Sequence, residues 1–478
     1  MRKIFFFLIV FSMFFGACRK TSIYGWDNAE VSEVDLRFST SEVMTRSGEV
    51  SERAINTVDV LVFGGTPKTF MYHRYAWQKS GNLYSATLKI GTDQDLYFAI
   101  NARSVIDAAA LTEGMSWSEA QAALVMENPE AFNLTTTNNG LPMWGFALNR
   151  TISDAPSNSS VNNLGTIKLL RSVAAVEINV EDDNFTLKEG SIAYGADKGL
   201  LAFNPTNIST PDVQGNFRTN NLEIPTEMTP AKTWYRTPQT GSNELKHVFY
   251  MYENNNLSKH TKVILEGKWS GSSKGNTFYP LSLRNQETND KLPVKRNNKF
   301  IIIVTKVNGD GYATWEEARD AEEVNMDYDV IVWDESHDES IIIDGSQYIM
   351  MQRSANDNSV GRTATLYRAT GSADSIAFNT NIPLETFEMQ LDNGGGFPDL
   401  SDKTLIENAR FRAEIKTVDG INYFKFNALQ NYGVTNNPST LTVTTGRIKF
   451  EITINQINFD PNDWIDGGEY EIELDPFK

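Results

Sequence analysis

The sequence predicts a mainly β protein made of tandem β-sandwich domains, immunoglobulin-like or transthyretin-like, with short helical inserts. Apolar and polar residues alternate in many short runs, which is the period of half-buried strands. Turn-forming Gly, Asn and Asp residues separate many of these runs. At 478 residues the chain exceeds one ordinary domain, and 40% apolar residues suffice for ordinary cores. We expect three domains, at 31–170, 171–335 and 336–478.

The N-terminus has the features of a signal peptide. Residues 2–3 are basic, residues 4–15 are apolar, and two small residues at 16–17 precede Cys18. The apolar stretch is shorter than the roughly 20 residues that span a bilayer. Small residues directly before a cysteine resemble the lipobox of bacterial lipoproteins. We therefore expect a lipoprotein signal peptide at 1–17 and a lipid on Cys18; the alternative is an ordinary secretory signal with an incidental cysteine.

Cys18 is the single cysteine of the chain. An exported protein without disulfides is stabilised by the burial of its cores. If Cys18 carries acyl chains, more than one is needed for a stable membrane anchor.

The first strand signal lies at 34–39, in the sequence VDLRFS. Val34, Leu36 and Phe38 share one face, and the residues between them are polar. The pattern predicts a strand whose apolar face packs into the first domain.

A loop with two arginines follows this strand, at 41–53. Arg46 lies in mid-loop next to Ser47 and Gly48, whereas Arg53 is adjacent to the apolar strand that follows. Extended loops are the preferred sites of proteolysis, so Arg46 is the better candidate cleavage site and Arg53 the alternative. Cleavage at Arg46 would make 18–46 a propeptide that contains a removable first strand.

Further strand and helix signals complete the first domain. Ser116 and Glu119 form a capping-box pair that predicts a helix extending to about residue 127. The run at 166–180 predicts one continuous strand that passes from the first domain into the second. Strands are also expected at 57–63, 83–90, 95–102 and 140–147.

In the second domain, the runs at 247–254 and 261–269 are expected to be neighbouring strands. The run at 299–307 is apolar at successive positions and predicts a strand buried on both faces. Thr314 with Glu317 predicts a short capped helix. The run at 328–335 is expected to close the domain.

The third domain is also nearly all strand. Asp419-Gly420 lies between two alternating runs and is a strong hairpin signal. Gly446 separates two further strands, and a last hairpin is expected at 466–468.

The sequence contains no catalytic or cofactor motif, such as a nucleophile elbow, a phosphate-binding loop or a zinc-protease helix. The four histidines, at 73, 247, 260 and 337, lack metal-ligand spacing. We therefore expect no enzyme activity, no cofactor and no metal. A net charge of −18 with no basic cluster argues against nucleic acid as a partner.

Nine tryptophans leave two interpretations open. Exposed aromatic side chains are used to stack on sugars, but Trp144, Trp333 and Trp464 lie in apolar, strand-like runs. Core packing is therefore the simpler interpretation for these three.

Several segments together resemble the precursors of fimbrillins, the subunits of the type V pili of Bacteroidales bacteria. The first part of the likeness is FGAC at 15–18, VDLRFS at 34–39 and Arg46. The second part is LPMWGFA at 141–147 with LLRSVAAVEINV at 169–180. The last part is the segment 297–318 followed by YDVIVWDE. The likeness covers about 15–335, and the further domain after residue 335 departs from a stalk subunit.

This resemblance implies a tip or accessory subunit of a fimbrium. In such a precursor the lipid leads the protein to the outer membrane, and an Arg-specific protease removes the first strand. A strand of another subunit then replaces it, which is donor-strand complementation. Adhesion to a host or glycan ligand would follow at the cell surface.

The sequence leaves two other function classes open. One is a fimbrial anchor subunit that keeps its lipid and is not processed. The other is a surface glycan-binding lipoprotein of a nutrient-uptake system.

Overall fold

The computed structural model describes most of the chain between residues 30 and 458. No helix within the described parts of the chain has the length and apolarity needed to cross a membrane. The described residues are 30–40, 51–81, 83–135, 140–157, 159, 162–208, 219–256, 258–285, 288–334, 338–344, 347–354, 356, 362–392, 405–433, 438–446 and 448–458.

The first seven long strands close into a barrel, in the order β1-β4-β3-β2-β5-β7-β8. A sheet closes when its first and last strands pair, and here β1 pairs with both β4 and β8. The mainly β fold with short helices is thus confirmed, with a closed barrel as its first unit. The elements of this part are β1 (Val31–Thr40), β2 (Val58–Gly64), β3 (Thr69–Ser80), β4 (Leu83–Lys89), β5 (Gly91–Ile100), α1 (Arg103–Ala108), α2 (Trp117–Ala123), β6 (Val125–Glu127), β7 (Met143–Ile152) and β8 (Asn163–Arg171), with 3₁₀ turns at Ser51–Arg53 and Pro129–Ala131.

Apolar side chains on both sides of the barrel wall are buried. Val34, Val60 and Phe98 point into the interior, whereas Leu61 and Trp144 pack on the outer side beneath the helices. Trp144 is fully buried, as expected of a core residue. The side chain of Trp333 and all of Trp464 lie outside the described residues.

The capping box of Ser116 and Glu119 begins α2 as expected. The helix ends at Ala123, however, and not near residue 127. Residues Val125–Glu127 instead form β6, which pairs with a short strand at Lys198–Leu200. This pairing satisfies backbone groups that a longer helix would have bonded internally.

The next strands form the middle sandwich, with a core between two four-stranded sheets. The sheet orders are β12-β10-β14-β15 and β13-β9-β16-β17. The elements are β9 (Ala174–Val180), β10 (Phe185–Ala196), β11 (Lys198–Leu200), β12 (Pro230–Arg236), β13 (Glu244–Met251), β14 (Lys262–Trp269), β15 (Thr277–Ser282), β16 (Asn298–Val307), α3 (Trp315–Asp320) and β17 (Met326–Asp334).

Two expectations about these strands are wrong. The run at 166–180 is not one continuous strand, because it breaks at Ser172 and Val173 between β8 and β9. The hydroxyl of Ser172 donates to the carbonyl of Leu201. The chain passes from the barrel to the middle sandwich at this break. The runs at 247–254 and 261–269 are not neighbours, because β13 and β14 belong to opposite sheets of the sandwich.

β16 has the expected two-sided burial and lies between β9 and β17. Phe300, Ile302 and Val304 face the core of the sandwich. On the other face, Ile301 and Ile303 pack with Ile331 and Met350. After β16, the expected box of Thr314 and Glu317 caps α3.

The last strands form the C-terminal sandwich, with sheets β18-β19-β21-β25-β24-β23 and β20-β27-β26-β22 around one core. Met350 of β19 makes its contact with β16 of the middle sandwich. The elements are β18 (Asp338–Asp344), β19 (Gln347–Ser354), β20 (Thr363–Leu366), β21 (Ala373–Thr380), β22 (Glu388–Leu391), β23 (Leu405–Glu407), β24 (Phe411–Val418), β25 (Ile421–Ala428), β26 (Ser439–Thr445) and β27 (Ile448–Gln456), with a 3₁₀ turn at Leu384–Thr386.

The hairpin signals of this region are confirmed where the structure describes them. Asp419 and Gly420 join β24 to β25 with φ angles of 51° and 79°. Two positive φ angles define a type I′ turn, whose twist matches that of the flanking strands. Gly446, with φ of 59°, follows β26. The expected hairpin at 466–468 lies outside the described residues.

Candidate functional site

β1 occupies a central place in the barrel wall although it is the first strand of the chain. It runs antiparallel to β4 from Val31 to Arg37, and parallel to β8 from Asp35 to Thr40. Both of its edges are therefore hydrogen-bonded. Removal of β1 would expose the backbone groups of two strand edges at once.

The inward face of β1 carries the three apolar residues expected from the sequence. Val34 and Leu36 are 0% exposed, and Phe38 is 5% exposed. The Phe38 ring makes edge contacts with Tyr84 and Phe98, at centroid distances of 5.8 and 5.5 Å. Burial of these three side chains contributes roughly 5–9 kcal/mol.

Charged groups attach the outward face of β1 to its neighbours. Lys79 Nζ lies 2.6 Å from a carboxylate oxygen of Glu33 and 2.7 Å from one of Asp35. Ser85 Oγ donates to Glu33 at 2.8 Å. The hydrogen bond from Lys79 lowers the pKa of Glu33; for Asp35, burial opposes the same effect, and its pKa is still lowered.

Glu52 lies in the 3₁₀ turn Ser51–Arg53, which precedes β2, and its side chain is buried. Its carboxylate accepts hydrogen bonds from Tyr250 Oη at 2.7 Å and Lys299 Nζ at 3.0 Å. His247 Nδ1 lies 3.1 Å from it. These residues come from β13 and β16 of the middle sandwich. Glu52 therefore attaches the segment before β2 to the middle sandwich.

Two more residues complete this group, which we call the Glu52 cluster. Arg171 Nε, at the end of β8, donates to the backbone carbonyl of Glu52 at 3.2 Å. Glu177 of β9 lies 3.3 Å from Lys299 Nζ. The cluster therefore comprises Glu52, Arg171, Glu177, His247, Tyr250 and Lys299.

The backbone of β13 is distorted at this point. The register shifts between Leu245 and Phe249, and His247 has a φ of 57°. A bulge of this kind redirects a side chain, and a left-handed backbone at a residue other than glycine costs about 1–3 kcal/mol. The contact between His247 and Glu52 is part of what offsets this cost.

The electrostatics of the cluster favour its charged form. Burial alone would raise the pKa of Glu52, but Lys299, His247 and Arg171 hold it well below its usual value. The hydrogen bond to Glu52 raises the pKa of His247. Burial would lower the pKa of Lys299, yet the two carboxylates keep it above its usual value.

Glu52, Glu177 and His247 offer three metal-ligand atoms within 4.8 Å of one another. The ammonium group of Lys299 contacts both carboxylates, at 3.0 and 3.3 Å. A lysine therefore supplies the positive charge that a metal ion would otherwise bring. The chemistry of this arrangement is that of a buried ion-pair network.

The backbone just after Arg53 is also held firmly. Asn101 Nδ2 donates to the carbonyl of Ala54 at 2.6 Å, and its Oδ1 accepts from the amides of Asn56 and Thr57 at 2.8 and 3.3 Å. Tyr84 Oη donates to the carbonyl of Ile55 at 2.9 Å. The segment 51–57, called the anchor segment below, is thus bonded along its length to the rest of the protein.

The structure describes only part of the site proposed from the sequence. Cys18 and Arg46 lie outside the described residues, whereas Arg53 closes the 3₁₀ turn. Neither Glu52 nor Lys299 was predicted as a functional residue, and His247 was considered only as a metal ligand. Lys299 offered one signal, because it is a charge at the start of a strand that is otherwise buried on both faces.

No family model matches the chain, and no curated protein does either. Among solved structures, the chain is similar to fimbrial proteins. One is the tip fimbrial protein Mfa3 from Porphyromonas gingivalis with a C-terminal truncation, at 14% identity, a TM-score of 0.41, and coverage of 64% of this chain and 100% of that one. Another is a fimbrilin, FimA, from Porphyromonas gingivalis W83, at 16% identity, a TM-score of 0.41, and coverage of 63% and 96%.

A protein from Bacteroides thetaiotaomicron is similar over 22% of this chain and 82% of its own, at 14% identity and a TM-score of 0.17. Fimbrial proteins thus appear among the structural neighbours, as the sequence resemblance led us to expect. All three TM-scores lie below 0.5.

Proposed function

We propose that this chain is a fimbrial subunit, of tip or accessory type, that assembles by exchange of its first strand. The precursor carries a lipid on Cys18 and reaches the outer membrane. An Arg-specific protease cuts it after Arg46, β1 leaves the barrel, and a strand of another subunit takes its place. The product is part of a type V pilus at the cell surface and serves in adhesion.

The place of β1 in the barrel is the observation that supports this proposal best. β1 is bonded on both edges and buries Val34, Leu36 and Phe38, yet it is joined to the barrel only through residues 41–50. One cut in that segment leaves β1 held by non-covalent contacts. The burial of its apolar face, roughly 5–9 kcal/mol, is comparable with the stability of a whole domain, so an emptied groove favours a replacement strand.

The pairing of β1 specifies what a replacement must look like. It must run antiparallel to β4 and parallel to β8. Its side chains must be apolar at alternate positions, to fill the sites of Val34, Leu36 and Phe38. Strand addition of this type is an established mode of recognition between proteins.

Arg46 remains our preferred cleavage site, and Arg53 the alternative. Cleavage at Arg53 would require the anchor segment to leave its bonds to Asn101 and Tyr84. It would also remove Glu52 from Lys299. The cut at Arg46 leaves these contacts with the barrel and creates a new terminus at Ser47.

Strand exchange can be tested with the full-length precursor and a labelled peptide of residues 30–40. After digestion with an Arg-specific protease, we expect the protein to bind this peptide, measured by fluorescence anisotropy, whereas the undigested precursor should not. The matched control peptide carries Leu36→Asp and should not bind, because a charge cannot enter the site that Leu36 occupies. Equal binding of both peptides, or none to the digested protein, would contradict the proposal.

The N-terminus of the protein recovered from cells tests processing, by mass spectrometry. We expect Ser47. A mature form that begins at Cys18 would instead identify a lipid-anchored subunit that is not processed. Metabolic labelling with a palmitate analogue should mark the precursor and not a Cys18→Ala variant.

The C-terminal sandwich is the expected binding site for a host or glycan ligand. It follows residue 335, after the part of the chain that resembles fimbrillins. A glycan array with the full chain tests this assignment and also examines the alternative of a glycan-binding surface lipoprotein.

A further inference from the structure

We propose that Glu52 determines where the precursor is cut, by locking the anchor segment so that the bond between Arg53 and Ala54 resists an Arg-specific protease. This inference rests on the proposed function, since it concerns the same processing step. It assigns the selection of the cleavage site to a buried carboxylate and not to the protease alone.

A protease binds its substrate as an extended chain on both sides of the bond that it cuts. On the upstream side of Arg53, the backbone forms a 3₁₀ turn whose Glu52 carbonyl accepts from Arg171. On the downstream side, Asn101 holds Ala54 and the amides of Asn56 and Thr57. Cleavage at Arg53 therefore requires local opening of the anchor segment.

Glu52 makes this opening unfavourable. Lys299 is 1% exposed, and its side chain touches Glu52 and Glu177. When Glu52 leaves, the buried ammonium loses a counter-charge, and Tyr250 and His247 lose a hydrogen-bond acceptor. A buried charge deprived of its partner is strongly destabilising. The open state is thus sparsely populated, and proteolysis follows that population.

The same arrangement explains why the cluster connects two structural units. Glu52 lies between the barrel strands β1 and β2, and its contacts are with His247, Tyr250 and Lys299 of the middle sandwich. Glu52 stays in the protein after a cut at Arg46. The processed subunit therefore keeps this connection while β1 is exchanged.

The test uses the full-length precursor with Arg46→Ala, so that the preferred site is absent. An Arg-specific protease is added, and the fragment with Ala54 at its N-terminus is quantified by mass spectrometry. Glu52→Ala in this background should yield that fragment at least about ten-fold faster than the background alone, because the open state is more populated. Equal rates would overturn the inference.

The matched control is Glu177→Gln, which removes the other carboxylate facing Lys299 but leaves the anchor segment attached. It should not accelerate cleavage at Arg53. If it accelerates cleavage as much as Glu52→Ala does, the effect is a general weakening of the cluster, and the assignment of Glu52 as the residue that selects the site is wrong.

A second measurement covers the case in which Glu52→Ala fails to fold. Glu52→Gln keeps a side chain of the same shape, and hydrogen exchange can follow single amides. We expect exchange at Asn56 and Thr57 to be at least about ten-fold faster than in the wild type, while Val60 of β2 is unchanged. Unchanged exchange at Asn56 and Thr57 would overturn the inference.

The proposed function and the role of Glu52 can each be contradicted independently of the other. If the protein with intact Arg46 yields no Ser47 terminus, processing at Arg46 is wrong, whereas the protection of Arg53 by Glu52 is still measured in the Arg46→Ala background. If Ser47 forms but Glu52→Ala leaves the rate at Arg53 unchanged, the processing proposal stands and the role of Glu52 does not.

Discussion

At Asp59 the barrel buries a carboxylate that is only partly paired. Its side chain is 0% exposed and lies 3.4 Å from Arg103 Nε, while its Oδ2 atom has no hydrogen-bond partner. His73 Nε2 is 3.7 Å away and is likewise buried without a hydrogen bond. Burial raises the pKa of Asp59 to about 6, against the opposing effect of Arg103.

This raised pKa predicts a pH dependence of stability. Between about pH 4 and 6, the folded protein holds a proton on Asp59 that the unfolded chain releases, so stability falls as pH rises through this window. Asp59→Asn is neutral throughout and removes that loss. We expect the variant to gain roughly 3 kcal/mol relative to the wild type between pH 4 and pH 7, measured by urea unfolding at both pH values.

Asp107→Asn provides a graded test of the same prediction. Asp107 is exposed, its Oδ1 accepts from Tyr75 Oη at 3.3 Å, and its charge contributes to the raised pKa of Asp59. Its replacement should therefore reduce the pH dependence that Asp59 causes, but not remove it as Asp59→Asn does. A pH-independent effect of Asp59→Asn would mean that Asp59 is charged in the folded protein over the whole range.

Glu52 shows how much a single side chain can connect. It has no alternating pattern or motif around it, yet its contacts come from β8, β13 and β16. The linkage to pH is opposite to that of Asp59, because the pKa of Glu52 is lowered on folding. Its contribution is therefore complete above the pKa of the unfolded chain and is lost as pH falls through the lower folded value.

Among the elements, β1 is the strand on which the proposed function depends. Phe38 is the largest side chain on its inward face and contacts two aromatic rings. Phe38→Ala leaves a cavity in the barrel, and we expect the uncleaved precursor to lose about 3–5 kcal/mol of unfolding free energy, measured by denaturant unfolding.

Arg37→Ala tests the other face of the same strand. Arg37 is exposed, so its replacement should change stability by less than about 0.5 kcal/mol. A large effect of Arg37→Ala together with a small one of Phe38→Ala would reverse the assignment of faces, and with it the pattern required of a replacement strand.

The turn between β24 and β25 sets the register of its hairpin through Gly420. Its φ of 79° is a region that a residue with a side chain enters at a cost. We expect Gly420→Ala to destabilise the C-terminal sandwich by about 1–2 kcal/mol. Differential scanning calorimetry of the full chain can measure this loss.

Gly433→Ala provides the comparison for that measurement. An added Cβ at Gly433 meets nothing within 4 Å, and its φ is not in the left-handed region. Its replacement should be neutral or slightly stabilising. Equal losses at both glycines would show that the effect at Gly420 comes from something other than its backbone conformation.

Across the whole molecule, the outer face of β16 joins three structural units. Lys299 forms a salt bridge with Glu52, which lies just before β2 of the barrel. Ile301 and Ile303, two and four positions further on, pack with Met350 of the C-terminal sandwich. A strand in the middle of the chain therefore supplies contacts to both of its neighbours.

These contacts predict that the C-terminal sandwich unfolds together with the middle one. Met350→Asp places a charge against Ile301 and Ile303, which a buried apolar site does not tolerate. For the full chain with Met350→Asp, we expect calorimetry to resolve a separate transition of lower temperature for the C-terminal sandwich, whereas the wild type should show the two sandwiches unfolding together. Gln352→Asp, on the same strand but only partly buried, should leave the wild-type profile.

Much of the local structure follows from neighbouring residues. The alternation at Val34, Leu36 and Phe38 predicts β1 and its buried face, because side chains of a strand point to opposite sides in turn. The capping boxes at Ser116 and Thr314 predict where two helices begin, because they satisfy amides within one turn. Each of these features depends on residues a few positions apart.

Other features depend on residues far apart in the chain, and only the tertiary structure decided them. The strands β13 and β14 follow one another but belong to opposite sheets, since apolar runs do not specify their partners. The helix α2 stops at Ala123 because β6 pairs with β11, more than seventy positions away. Glu52 and Lys299 are 247 positions apart, and their contact arises from packing the barrel on the middle sandwich. No pattern of spacing records such a contact, because its energy comes from burial and charge pairing that exist only after the two units have met.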